Sequence, residues 1–175
     1  MTNSPDSKTQ SSDDPILIAQ AETDTLMAMV TDQITLETFD SNNHELMRRM
    51  VFEGLGDTRG LVRLRFAETL GEIGEAATPF LLEALADRTN VVLRRAAAKT
   101  LTIIADPKAV PDLLNAFLYD EDTVVNGSAA GALARTGEAA VPALLDILAS
   151  SEHSESTKGH AAWALAFMGS EAVAY

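Results

Sequence analysis

Two interleaved motifs return along this chain with a single period. Leu70, Leu101, Leu133 and Leu165 stand in register at steps of 31, 32 and 32 residues, inside LVRLRFAETLGEIG, VLRRAAAKTLTIIA, VNGSAAGALARTG and TKGHAAWALAFMG. Between them run TPFLLEALAD, VPDLLNAFLYD and VPALLDILAS, whose Pro79, Pro111 and Pro142 are spaced by 32 and 31. A fixed period of this length is the mark of stacked units, each unable to bury its apolar face without a neighbour.

Each unit reads as two antiparallel helices, A then B. Proline falls in the first turn of helix A, where its missing N–H costs nothing, and Gly or Asp punctuates the turns. NHELMRRMVFEGLGD becomes the first helix A, because Asp57 stands 30 residues before Asp87. The expectation is an all-α chain: a right-handed α-solenoid of about four helix pairs, at 43–74, 77–105, 109–137 and 139–169. Ala67, Ala98, Ala130 and Ala162 lie three residues before the leucines, on one stripe that should be buried and let helices approach closely. The closing EAVAY matches EAAVPA at 138–143, so a fifth unit is expected to start at 171. A solenoid edge needs a polar cap, so that end is expected to continue into another repeat or to be covered by a partner.

Ahead of the repeats, residues 1–15 are polar and rich in Ser, Asp and Pro, and read as a disordered acidic tail. Residues 16–42 carry apolar residues at helical spacing and read as one or two capping helices. Alanine is abundant and only 5% of residues are aromatic, which suits close helix packing better than a β-sandwich. The net charge is −13, of which −7 falls in residues 1–42, so nucleic-acid phosphates should repel the chain. With no cysteine, the chain supplies no disulfide, thiol nucleophile or thiolate metal ligand. No signal-peptide pattern opens it and no run nears the roughly 18 apolar residues that span a bilayer. A cytoplasmic protein without membrane insertion is expected.

No catalytic motif is present. His44, His153 and His160 lack metal-ligand spacing, and neither G-x-S-x-G nor a P-loop occurs, so no catalytic residue, metal or intrinsic cofactor is expected. Two columns of helix B hold the binding candidates. Arg63, Arg94, Asn126 and Lys158 recur at its start, where the helix dipole disfavours cations, so something else must hold them. One account is an ion-pair ladder with the acidic turns at Asp57, Asp87 and Asp122; the other is a stripe that grips carboxylates of a ligand or protein partner. In the second column Glu68, Lys99, Gly131 and Trp163 are equivalent, and His160 lies three residues before Trp163 on the same face. That face of helix B should line the concave surface of a solenoid, where Trp163 is either a binding anchor or packs beneath a following unit.

The period is near that of ankyrin and TPR units, yet no unit has the ankyrin histidine or the TPR tryptophan pattern. VPDLLNAFLYDEDTVVNGSAAGALARTG and VRLRFAETLGEIG instead resemble the short HEAT-like repeat of phycobilisome lyases: a VP-x-LL helix, an acidic turn, then V-R-x-x-A-A-x-A-L-x-x-[IL]-G. The resemblance covers roughly residues 43–175. It implies cyanobacterial or red-algal proteins that attach or remove bilins on phycobiliproteins, or that disassemble phycobilisomes. A related cyanobacterial HEAT protein partners an A-type iron–sulfur carrier. The expectation is therefore an interaction scaffold that binds a phycobiliprotein-related partner through Arg63, Arg94, Lys99, Asn126, Lys158, His160 and Trp163. The alternatives are a bilin lyase or chromophore chaperone, holding a linear tetrapyrrole transiently, and a partner of an iron–sulfur carrier.

Overall fold

A computed structural model describes residues 14–173; residues 1–13 of the expected tail, and residues 174–175, lie outside the described residues. The chain divides into two compact units, Met1–Phe39 and Asp40–Tyr175. In the first, α1 (Pro15–Thr35) is one continuous helix. The Asp14 carboxylate accepts the Ile16 N–H at 2.9 Å and Pro15 occupies the first turn, so the helix begins inside the stretch expected to be tail. Thr23, Leu26, Met27 and Val30 share one face at i, i+3, i+4 and i+7. The chain leaves the helix through Glu37, at a left-handed φ of 57°.

The second unit holds α2 (His44–Arg49), continued by a wide π turn (Met50–Gly54), then α3 (Gly60–Ile73), α4 (Thr78–Leu85), α5 (Val91–Ile104), α6 (Val110–Tyr119), α7 (Thr123–Thr136), α8 (Val141–Ala149) and α9 (Glu155–Val173). Among the described residues there is no strand. Even-numbered helices are the A helices and α3, α5, α7 and α9 the B helices. From α5 onward each B helix packs on its own A helix and on the B helix before it, which makes the unit an all-α solenoid. The local signals are those of the sequence: Pro79, Pro111 and Pro142 stand in the first turns of α4, α6 and α8. Asn90 and Asp122 cap α5 and α7 through side-chain oxygens that accept the N–H groups of Leu93 and Val125 at 3.1 and 3.0 Å.

The core is a set of columns. Val51, Leu81, Leu113 and Leu144 of the A helices, and Phe66, Ala97, Ala129 and Ala161 of the B helices, expose no surface. Leu70, Leu101 and Leu133 are equally buried and Leu165 is half-buried. Fully burying one leucine contributes about 1.5–3 kcal/mol, so the stacked columns dominate the stability of the unit. The alanine stripe differs from expectation: Ala98 and Ala130 are buried, but Ala67 is half-buried and Ala162 is exposed. The continuously buried column is one position earlier, at Phe66, Ala97, Ala129 and Ala161.

Three B helices are stopped by backbone of positive φ: Gly74 at 83°, Ala105 at 54° and Gly137 at 68°. Gly169 occupies the equivalent place in α9, yet the helix runs through it to Val173. Residue 171, where a fifth unit is expected to start, falls within α9. Glycine permits the left-handed turn without imposing it.

Ala105→Gly should raise stability by about 1 kcal/mol or less, since relief of left-handed strain outweighs the added freedom of the unfolded chain; a lower urea midpoint would show that the Ala105 methyl packs too well to lose. At the π turn, a Cβ on Gly54 would collide with the buried Phe66 ring. Gly54→Ala should cost about 1–3 kcal/mol, the usual cost of overpacking, and an unchanged midpoint would mean the ring can move aside.

Candidate functional site

At each A-to-B turn, an acidic or hydroxyl side chain folds the backbone by accepting an N–H two residues on. Asp57, Asp87 and Asp120 accept from Arg59, Thr89 and Asp122 at 2.8, 2.9 and 2.9 Å, and Ser150 accepts from Glu152 at 3.1 Å. The first cationic column then reaches back into the turn that precedes it. Arg63 Nη1 donates to the Asp57 carbonyl at 2.7 Å and Arg94 Nη1 to the Asp87 carbonyl at 3.1 Å. Asn126 Nδ2 donates to the Asp120 carbonyl at 2.7 Å and to the Ala116 carbonyl at 3.0 Å. These residues begin helix B in sequence, but in space they sit at the C-terminal end of helix A, where unpaired carbonyls carry partial negative charge and attract donors.

The expected pairing of this column with the carboxylates of Asp57, Asp87 and Asp122 is thereby corrected. The Asp57 carboxylate is held by Arg59, at 3.0 Å to both Nε and Nη2. Arg94 Nε reaches Asp120 Oδ2 at 3.1 Å, an oxygen that Arg88 also approaches at 3.3 Å. Arg94 is 2% exposed, so its guanidinium serves the fold and is out of reach of a partner. Asn126 is likewise engaged by the turn. Lys158 is half-buried at the corresponding place, and among the described residues its ammonium has no hydrogen-bond or ion-pair partner.

Asp122 belongs to a different contact. It accepts two hydrogen bonds from Arg95, at 3.0 Å from Nε and 2.7 Å from Nη2, while capping α7. The Arg95 hydrogen bonds hold its carboxyl at a pKa of about 2, below the ordinary 3.8. The hydrogen bonds from Thr89 lower Asp87 in the same direction.

The second column points outward, but its members are not gathered in one place. Trp163 is 52% exposed on α9 and stacks on Phe167, with ring centroids 5.7 Å apart at 28°. His160 meets the edge of Phe117 on α6 at 6.3 Å. Lys99 lies two B helices away on α5. Between α3 and α5 the helix B face opens into a groove of about 370 Å³, whose lining includes Arg63, Leu64, Val92, Arg95, Lys99 and Ile103. Leu64 and Ile103 are 52% and 51% exposed, so apolar side chains are offered to an occupant. No Asp or Glu lines the groove, although the chain carries 26 of them. Of the residues expected to bind, it unites Arg63 and Lys99; sequence reasoning missed Leu64, Arg95, Val92 and Ile103. The signal for Leu64, Val92 and Ile103 was present as aliphatic residues at outward positions of helices whose inward stripe was already filled. Such a lining recognises an apolar body that bears carboxylates. Among the described residues no cluster of three His, Asp or Glu could hold a metal ion, and no helix is long and apolar enough to cross a membrane.

A sequence model of HEAT repeats matches residues 49–134 and 110–175, more than half of the chain. Stacked A–B pairs with B helices in contact along the stack are what such repeats build, and the chain belongs to the HEAT-repeat family. Within the curated proteins it is similar to the bilin biosynthesis protein MpeU of Synechococcus sp. (strain WH8020), 46% identical over 92 residues. That alignment takes in 53% of this chain and 31% of the relative, so the chain matches about a third of the relative's length. The relative agrees with the resemblance to phycobilisome lyases carried by the VP-x-LL and V-R-x-x-A motifs.

The Asp122–Arg95 pair has a defined pH signature. Because the folded carboxyl titrates near 2 and the unfolded one near 3.8, the pair stabilises the fold fully above 3.8 and loses that contribution as pH falls toward 2. Asp122→Asn keeps a capping side chain but removes the charge. It should melt below wild type at neutral pH, and the gap should close as pH falls through this window. A gap that stays constant with pH would show that the charge contributes nothing.

Proposed function

We propose that this chain is a bilin-handling HEAT-repeat module, whose helix B face receives a linear tetrapyrrole together with the phycobiliprotein that accepts it. The observation that carries this reading is the acid-free, cation-bearing apolar groove between α3 and α5 on that face. The relative named for bilin biosynthesis supports the pigment class. A bilin has a long conjugated apolar body and two propionates, so it needs aliphatic surface and positive charge side by side. The fold supplies both on neighbouring B helices. With no cysteine in the chain, the thiol for covalent attachment would come from the phycobiliprotein. The module's part is to hold the pigment, shield its body from water and neutralise its acids.

A second reading is a scaffold that binds the phycobiliprotein-related partner without touching pigment. What favours it is a row of exposed aliphatic residues in the first turns of three B helices: Leu61, Val92 and Val124, at 77%, 37% and 38%. Such a row matches a protein surface better than a small molecule.

Gel filtration of the chain with a purified apo-phycobiliprotein subunit, with and without phycocyanobilin, separates the two. Pigment eluting with this chain is expected. Co-elution of the two proteins with no pigment retained by this chain supports the scaffold, and absence of both interactions rejects either role.

A further inference from the structure

We propose that the α3/α5 groove is the site that reads the acids of its ligand, and that it takes a dicarboxylate on a flat apolar body with Lys99 as the anchoring cation. The proposal rests on the bilin-handling reading and names the residue and the ligand feature through which that reading would operate.

The argument is an inventory of where the positive charges of the groove are already committed. Arg95 lines the groove, but its Nε and Nη2 are both taken by the two oxygens of Asp122, and the pair is neutral. Arg63 lines it with one Nη donor on the Asp57 carbonyl; the Asp57 carboxylate, which Arg59 holds, also feels its charge, and further N–H donors of Arg63 remain. Lys99 lines it with its ammonium exposed, and among the described residues no carboxylate or carbonyl meets that group. The groove thus presents the unpaired ammonium of Lys99, the remaining donors of Arg63 and no acid. Two charges beside exposed Leu64 and Ile103 match two carboxylates carried on one apolar body better than a monoacid or an uncharged ring.

Four other arginines are committed elsewhere. Arg48 is paired with Glu83 and Arg49 with Glu53, while Arg88 and Arg94 both meet Asp120. Lys99 is also the cation of the groove best suited to be an anchor for a mobile ligand. Its flexible stem lets the ammonium follow a carboxylate, whereas Arg63 is fixed by its turn.

The test titrates biliverdin and biliverdin dimethyl ester into the whole chain, followed by the pigment's absorbance, for wild type, Lys99→Gln, Lys99→Arg and Leu64→Glu. Lys99 and Leu64 are exposed, and circular dichroism verifies that the variants remain helical. Expected are binding of biliverdin by wild type, a loss of about tenfold or more in Lys99→Gln and in Leu64→Glu, and recovery in Lys99→Arg. The dimethyl ester should bind wild type as weakly as biliverdin binds Lys99→Gln. If wild type binds biliverdin and Lys99→Gln binds it equally well, or the ester binds as tightly as the acid, the site assignment is wrong while the bilin reading stands. If wild type binds neither pigment, the proposal and the bilin reading fall together and the scaffold remains.

Discussion

The contact on which the rest of the solenoid depends is the one that closes the first three helix pairs, where a side chain at the start of helix B donates to a backbone carbonyl of the turn that follows helix A. Arg63, Arg94 and Asn126 do this in successive units. A buried helix end without partners is costly, and a donor delivered by the following helix removes that cost while setting how the second helix leaves the turn. Cation and amide are interchangeable at this place because the acceptor is a dipole, not a full charge. With three successive turns closed in the same way, Val51, Leu81, Leu113 and Leu144 come into line, and the B helices can stack on one another.

The same contact decides what is left for function. A chain of net charge −13 has few cations to begin with, and the turns and inter-repeat pairs engage Arg94, Arg88, Arg59 and Arg95. In the groove without acids, positive charge stays open on Lys99 and the far side of Arg63. Local potential follows the nearby charges and the low-dielectric walls of a cleft more than the total, so an acidic protein can still present a site for anions. HEAT-repeat architecture by itself serves many functions, and the functional reading here rests on the chemistry of that groove.

Much of the fold was legible before any coordinates. The 31–32-residue period and the prolines of α4, α6 and α8 depend on interactions between residues a few positions apart, which a linear reading captures. The leucine column was legible because one face of every repeat must be apolar. Ala105 was not: a left-handed alanine takes the place that glycine fills at Gly74 and Gly137, and no local preference announces it. Nor was the continuation of α9 through Gly169, since glycine allows a helix to proceed as readily as it allows it to stop.

The site divides along the same line. The sequence by itself determined that cations recur at one position of helix B, and that Lys99, His160 and Trp163 share a face with the same phase. Only the tertiary structure decided that Arg94 turns inward onto Asp87 and Asp120, that Asp120 rather than Asp122 holds the third turn, and that Leu64 and Ile103 flank Lys99 across two helices. The physical reason is range. Helix phase follows from a 100° step along the chain, whereas the partner of an arginine is whichever acceptor the packing of a neighbouring helix brings within 3 Å, often some thirty residues away.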